Sequence, residues 1–313
     1  MFDSLLFRRE SPPLAEGVLS KFIRRGERTF YRTTDTKYSP TLFYRRADDG
    51  KYYSSIELSL PRFYFGNNIQ TLKEPDLEPA LLLVSEFASD HFGFEFDAVT
   101  ANIGRIDFQY NFQVGEDRVY AYLKAASEAE PNYLKRRIIG KIETVDFFHK
   151  SRKITLYDKF REAQNQFDKD KISKETLEMA RGTLRLEVRF GTTETVKGIS
   201  KKFNLQNIQA QTILDFDVAK SILTAAIESL CLNKPVITVD DRINKLQQKY
   251  GFSSRLQRLV GFLTLCDTFG ATKLVTLGVM KNSAYYKHRK EILDADALIF
   301  SNFTSQLPAL NVR

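Results

Sequence analysis

Ile154-Thr155-Leu156-Tyr157-Asp158-Lys159 is the stretch on which the fold turns, and two others are read beside it. These are Arg105-Ile106-Asp107-Phe108-Gln109-Tyr110-Asn111-Phe112 and Leu184-Arg185-Leu186-Glu187-Val188-Arg189-Phe190. Each alternates apolar and polar side chains, the period of a strand with one face on a core and one face open. Packing the apolar faces together leaves Arg105, Asp107, Gln109 and Asn111 on the other side, with Thr155, Tyr157 and Lys159, and with Arg185, Glu187 and Arg189. One sheet face then holds carboxylates able to bind a divalent metal, a phenol, an ammonium and guanidinium groups. That set is the equipment for attacking a phosphodiester.

The chain is 313 residues long, enough for two domains or one large one. With 25 Phe, 14 Tyr and 42% hydrophobic residues it can fill a substantial core, which excludes a disordered tail. The net charge of +8 and the isoelectric point near 9.2 favour a polyanionic partner without proving one. Cys231 and Cys266 lie in apolar helical context with no C-x-x-C spacing, as free thiols of a reducing compartment do. The first residues lack the apolar core and cleavage site of a signal peptide, and no run of about 18 apolar residues occurs. The expectation is a soluble cytoplasmic protein with no membrane association.

Residues 1–70 read as strands broken by turns: Phe30–Tyr31, Thr41–Arg45 and Tyr52–Leu60, with a hairpin turn at Ala47-Asp48-Asp49-Gly50. A helix opens near Pro75 and stops at Gly93, and a second, carrying Val119, Tyr122, Leu123 and Ala126, follows Gly115. Residues 131–143 read as a loop or edge element, Thr144–Phe148 pairs with the Tyr157 strand, and Arg161–Lys171 is a polar segment. A short helix runs over Ser173–Arg181 and stops at Gly182. After about Thr192 the pattern is helical, with helices through Phe216–Leu232, Arg255–Phe269, Ala271–Leu277 and Ser283–Asp294. The fold class expected is α+β: an antiparallel central sheet with helices on one face, followed by a helical, winged-helix-like part. The division expected is a sheet-built domain over 1–195 and a helical domain over 196–313.

Leu60-Pro61-Arg62-Phe63 with Asn67-Asn68, then Arg105-Ile106-Asp107, Tyr157-Asp158-Lys159 and Arg185-Leu186-Glu187-Val188-Arg189 follow one another in that order. In this order and spacing they resemble the filamentous-phage gene II (gene II/X) replication initiators and, more distantly, plasmid rolling-circle Rep proteins. The resemblance covers roughly residues 50–300. It implies a nick in one strand of double-stranded replicative DNA at an origin, the enzyme staying on the new 5′ end and a 3′-OH passing to the host polymerase, with a host replicative helicase as partner.

On that resemblance Tyr157 is the nucleophile and Lys159 lowers the phenol's pKa or stabilises phosphate charge. Asp107 and Glu187, with Glu57 as a third, would hold Mg²⁺ or Mn²⁺ through hard oxygen ligands. The alternative is structural ion pairing, Asp107 with Arg105 or Arg185 and Glu187 with Arg189. Arg105, Arg185 and Arg189 suit phosphate clamping if they are not so paired. Many rolling-circle nucleases hold the metal with a His-apolar-His pair; the histidines here, His91, His149 and His288, make none. No second tyrosine follows Tyr157 by one helical turn, since position 161 is Arg. Near the C-terminus, Lys281, Tyr286, Lys287, Arg289 and Lys290 form a basic, aromatic helix suited to a recognition role, or else an ordinary solvated face. Two other functions stay open, a non-enzymatic sequence-specific DNA-binding regulator and a conjugative relaxase.

Overall fold

The computed structural model describes residues 1–25, 28–32, 40–131, 133–169, 172–235, 239–269, 273–295, 297 and 307–312. Its strands are β1 (Phe2–Ser11), β2 (Ile23–Arg25), β3 (Arg28–Arg32), β4 (Thr41–Arg46), β5 (Tyr52–Ser59), β6 (Asn102–Gln113), β7 (Lys135–Ile139), β8 (Thr144–His149), β9 (Arg152–Asp158) and β10 (Thr183–Phe190). They form one sheet in the order β2-β3-β4-β5-β1-β6-β10-β9-β8-β7, with antiparallel pairing throughout. One face of the sheet is apolar: Phe7, Ile56, Ile106, Phe108, Val188, Leu156 and Phe147 are all fully buried along it. The opposite face carries the charged and amide side chains.

The helices from the N-terminus onward are α1 (Glu16–Leu19), α2 (Leu60–Phe65), α3 (Glu74–Phe92), α4 (Glu116–Glu128), α5 (Lys159–Phe167), α6 (Lys174–Glu178), α7 (Thr193–Lys202), α8 (Ala210–Ile213) and α9 (Phe216–Ser229). Helix α3 begins beside Pro75 and ends at Gly93 in the left-handed region (φ +73°), where a side chain would be strained. Helices α4, α7, α8 and α9 touch the central strands β6, β8, β9 and β10. Phe216, opening α9, meets Phe2 edge-on at 5.1 Å between ring centres, and Phe2 packs on Phe108. The fold is therefore the expected α+β class, an antiparallel sheet flanked by helices.

Two elements depart from the sequence reading. The first is β1, which lies at the middle of the sheet between β5 and β6 although the alternation points to strands only from Phe30 onward. Phe2 pairs with Phe108 and Leu5 with Ile106, so Asp3 and Ser4 together face one β6 position. That bulge breaks the two-residue period and hides the strand. The second is the polar segment after Arg161, which is the helix α5. Asp158 caps it by accepting from the backbone N–H of Phe160 (2.9 Å) and Arg161 (3.2 Å). Its few apolar side chains, Phe160, Ala163 and Phe167, close a small separate core with Ile69, Leu177 and Ala180.

After β10 the chain is largely helical. Helices α10 (Val239–Tyr250), α11 (Ser254–Phe269), α12 (Lys273–Thr276) and α13 (Asn282–Asp294) complete it. Ala271 and Thr272, part of a helix expected over 271–277, lie outside the described residues. No strand of a wing follows β10 among the described residues. The apolar packing does not change over at residue 195: Val196, Val218, Leu223 and Leu232 belong to the sheet's core, as do Leu307 and Leu310. A second core begins only with Leu246 and joins Leu259, Phe262, Leu263, Tyr285 and Ile292. An amphipathic helix advertises that it has a buried face but not which core that face meets, so the changeover near 233–245 is not readable from pattern alone.

Candidate active site on the polar sheet face

Register decides which polar side chains become neighbours. Asn111, Arg185 and Tyr157 form one row across β6, β10 and β9; Gln109, Glu187 and Thr155 form the next; Asp107, Arg189 and Lys153 the third. The polar face read from the alternation is therefore present, with its members side by side.

Tyr157 donates its hydroxyl to Glu187 Oε1 at 2.7 Å, and only 9% of its surface is exposed. Burial first, and the Glu187 charge next, push the phenol well above its ordinary pKa near 10. Burial, followed by the nearby Asp3 carboxylate, also raises Glu187. A carboxylate of raised proton affinity thus faces the tyrosine hydroxyl.

Lys159 is not the last residue of a strand but the first of α5, and it is fully buried. Its Nζ donates to Asn68 Oδ1 at 2.9 Å and to Glu162 Oε2 at 2.5 Å, and lies 5.9 Å from the Tyr157 ring centre. Burial and then the Arg185 charge lower its pKa to about 8. Arg185, expected to meet phosphate, is itself fully buried; it donates to Asn111 Oδ1 at 2.7 Å and to the Asn68 carbonyl. The turn that follows Gly66 is thereby tied down over the polar face beside Tyr157.

The carboxylates expected to hold a metal are differently engaged. Asp107 accepts from Arg105 at 2.7 and 3.2 Å and from Arg189 at 2.9 Å, and Arg105 also reaches Glu57 Oε1 at 2.5 Å. Asp107 and Glu57 are thus in ion pairs, with Arg189 rather than Arg185 as the second partner of Asp107. Oxygens that already carry guanidinium donors do not suit a resident cation. Among the described residues, no three His, Cys, Asp or Glu side chains stand together to hold one. Glu187 takes the Tyr157 hydroxyl instead of the expected Arg189. Of the three arginines, Arg189 is the most open, with 41% of its side chain exposed. His91 bonds the Phe87 carbonyl and His288 lies 3.5 Å from Glu291.

On α13, Tyr286, Lys287 and Lys290 are exposed, as is Lys281 just before it. Arg289 is not free for DNA: with Tyr285 it holds Glu130, the tyrosine hydroxyl at 2.8 Å from the carboxylate and the guanidinium at 3.1 Å from the carbonyl.

Sequence reasoning passed over Asp3, Glu162 and Asp146, and gave Asn68, though part of the Asn67-Asn68 motif, no role of its own. Asp146 is fully buried on the polar face of β8 and accepts from Arg137 (2.6 Å), Lys153 (2.8 Å) and Thr155 (3.0 Å). Against the cost of burial, these bonds hold its pKa below the ordinary 3.8. Its contribution is therefore complete above that value and lost as the pH falls through the lower folded value. Asp146→Asn is expected to cost about 2 kcal/mol at neutral pH and to flatten the acid limb of stability below pH 3.8, as read by urea melts across pH.

No described helix is long and apolar enough to cross a membrane. The profile of a phage family described as the N-terminal part of the gene II replication-associated protein matches residues 28–212, more than half of the chain. The matched span holds Glu57, Asp107, Tyr157, Lys159 and Glu187. No curated protein and no solved structure matches the chain. With that match and a flanked antiparallel sheet bearing the motif residues on one face, the chain belongs to the phage replication-associated protein family of the gene II/X type, the rolling-circle replication initiators.

Proposed function

We propose that the protein nicks one strand of double-stranded replicative DNA at its origin through Tyr157 and later rejoins the ends. The single observation carrying this reading is the 2.7 Å bond from the Tyr157 hydroxyl to Glu187 beside the buried Lys159. Glu187 takes the phenol proton as the tyrosine oxygen attacks phosphorus. The P–O3′ bond breaks, the 3′-oxygen takes a proton from solvent, and the 5′ end stays on Tyr157 as a phosphodiester. Because that link keeps the bond energy, a 3′-OH can reverse the step and seal the strand. Lys159 supplies positive charge toward the phosphoryl oxygens, and Arg189 is the guanidinium open enough to hold the strand. The product 3′-OH is the primer that a host polymerase would extend as a helicase unwinds the duplex.

Supercoiled origin DNA incubated with the protein and Mg²⁺ tests this directly. Open circles with protein covalently on a 5′ end are the expected product. Tight binding with no nick under any divalent ion would instead make the protein a non-enzymatic regulator.

The division of labour proposed is a nuclease built on the sheet and a duplex-binding part in α10–α13. Replacing Lys281, Lys287 and Lys290 with Ala is expected to weaken duplex origin binding. It should also flatten the salt dependence by up to about 0.9 in log–log slope for each phosphate no longer neutralised. Nicking of a short single-stranded oligonucleotide should survive. Equal loss on both substrates, with the circular dichroism unchanged, would mean one merged site.

A further inference from the structure

Tyr133 stands in the turn that leads from α4 into β7, where the Leu134 N–H donates to the Pro131 carbonyl at 3.4 Å. Its ring is 92% exposed, and its hydroxyl has no hydrogen-bond partner among the described residues. Its backbone is left-handed, φ +63°, a region that residues with large side chains rarely take. A tyrosine held in strain with its ring in water does nothing for the fold. Strain of this kind gathers at sites that meet a ligand. The ring lines an open cleft of about 740 Å³, a size that suits a small organic group. Another wall of the cleft is α13. Tyr286 there is 58% exposed, and Tyr285 meets its ring edge-on at 5.3 Å between centres. Tyr285 is fixed in turn by its 2.8 Å bond to Glu130, so the outer ring has a set support.

Arg136 also lines the cleft. It stands opposite Phe147 in the β7–β8 ladder and shares that residue's helix-covered side, whereas Arg137 turns to Asp146 on the polar face. The cleft is therefore on the other side of the sheet from Tyr157. Glu130, the acid among its lining residues, is answered by Arg289 and the Tyr285 hydroxyl. Arg136 gives one N–H to the Ala129 carbonyl at 3.4 Å and keeps its other donors. Lys290, exposed one turn along α13 from Tyr286, adds a second positive charge beside the outer ring.

We propose that this cleft holds single-stranded DNA, with unpaired bases stacked on Tyr133 and Tyr286 and the backbone phosphates met by Arg136 and Lys290. Aromatic rings accept the face of any base and basic side chains follow the backbone, so such a site takes a strand without regard to its sequence. Duplex DNA keeps its base faces stacked inside the helix and offers none to the rings. The inference rests on the reading that the chain works on DNA. It adds a second station, away from the polar face, where the strand freed by a nick is held while its 5′ end stays on Tyr157.

The test is fluorescence anisotropy of a labelled oligo(dT), free of any origin sequence, titrated with the full chain. Tyr133→Gly and Tyr286→Ala are each expected to weaken binding about tenfold, the loss typical of one stacking ring. Tyr133→Gly removes the ring and the backbone strain together, so its melting temperature should hold or rise while its affinity falls, a pairing that misfolding cannot produce. Tyr133→Phe keeps the ring and should keep the affinity. Replacing bases of the strand by abasic sites should weaken wild-type binding and hardly alter that of the Tyr133→Gly, Tyr286→Ala double variant. Unchanged oligo(dT) affinity in both single variants would overturn the site, as would an equal abasic penalty in the wild type and the double variant. A loss confined to duplex DNA would overturn it too and make Tyr286 part of a duplex-binding surface. Nicking separates this site from the nuclease reading. A protein that nicks, but whose cleft variants bind oligo(dT) normally, loses this site alone; one that never nicks yet shows the stacking losses keeps the site and loses the nuclease.

Discussion

Tyr157→Phe is expected to lose origin nicking by roughly 10⁴-fold or more while still binding origin duplex, since an enzyme deprived of its nucleophile keeps only its binding and charge stabilisation. The change removes one hydroxyl from a ring that otherwise stays packed against β8 and β10. The fold loses the 2.7 Å bond to Glu187 and leaves a buried carboxylate oxygen without its donor, a cost of about 1–2 kcal/mol. Burial already favours the protonated form of Glu187, so the lost donor is partly absorbed by proton uptake. Two measurements are needed together. Gel shifts on origin duplex should match the wild type, and labelled origin DNA should show no protein on its 5′ end. If the Phe variant nicks normally, Tyr157 is an ordinary buried strand tyrosine and the nucleophile lies elsewhere.

What can be read ahead of the structure follows from how regular each element is. Strands β6, β9 and β10 alternate without interruption, so their polar face is legible down to individual residues. Partner choice is not: alternation fixes which face a residue takes, but only register fixes which residue stands opposite. Asp107 meets Arg189 and not Arg185 because it pairs with position 189 in the ladder. Strand β1 escapes because its bulge places Asp3 and Ser4 on the same side, and Asp3 escapes with it. Helix α5 escapes because its apolar side chains are few and close a core of their own. Gln109 is legible as a member of the polar face, yet a neutral amide draws no attention until its oxygen is found without a partner. Lys159 stands out in the sequence, but its setting does not. A lysine after a strand is normally solvated, and full burial of an ammonium is rare enough that no pattern announces it.

That burial sets the second large expectation, in which activity and stability move apart. Lys159→Met is expected to reduce nicking by about 10²–10³-fold, the loss typical when one group stabilising transition-state charge is removed. The melting temperature should hold or rise at neutral pH. Burial and the neighbouring Arg185 lower the lysine's pKa from 10.5 in the unfolded chain to about 8 in the fold, so the fold works against the charge. Between those values the unfolded chain binds more protons than the native one, and wild-type stability therefore climbs with pH. Below about 8 the cost of burying the charge is present in full. A methionine of similar length fills the space without that cost, and the climb above pH 8 should vanish in the variant. Glu162 loses one partner but keeps Gln166 and, at 3.9 Å, Arg62, and more than a third of its side chain is exposed. The catalytic side has its own signature. If the ammonium is the working form, wild-type nicking declines as the pH rises through about 8, and Lys159→Arg moves that decline to higher pH. A Met variant that melts lower yet nicks as well as the wild type would show that Lys159 serves the fold through Asn68 and Glu162, and that the phosphoryl charge is met elsewhere, as by Arg189.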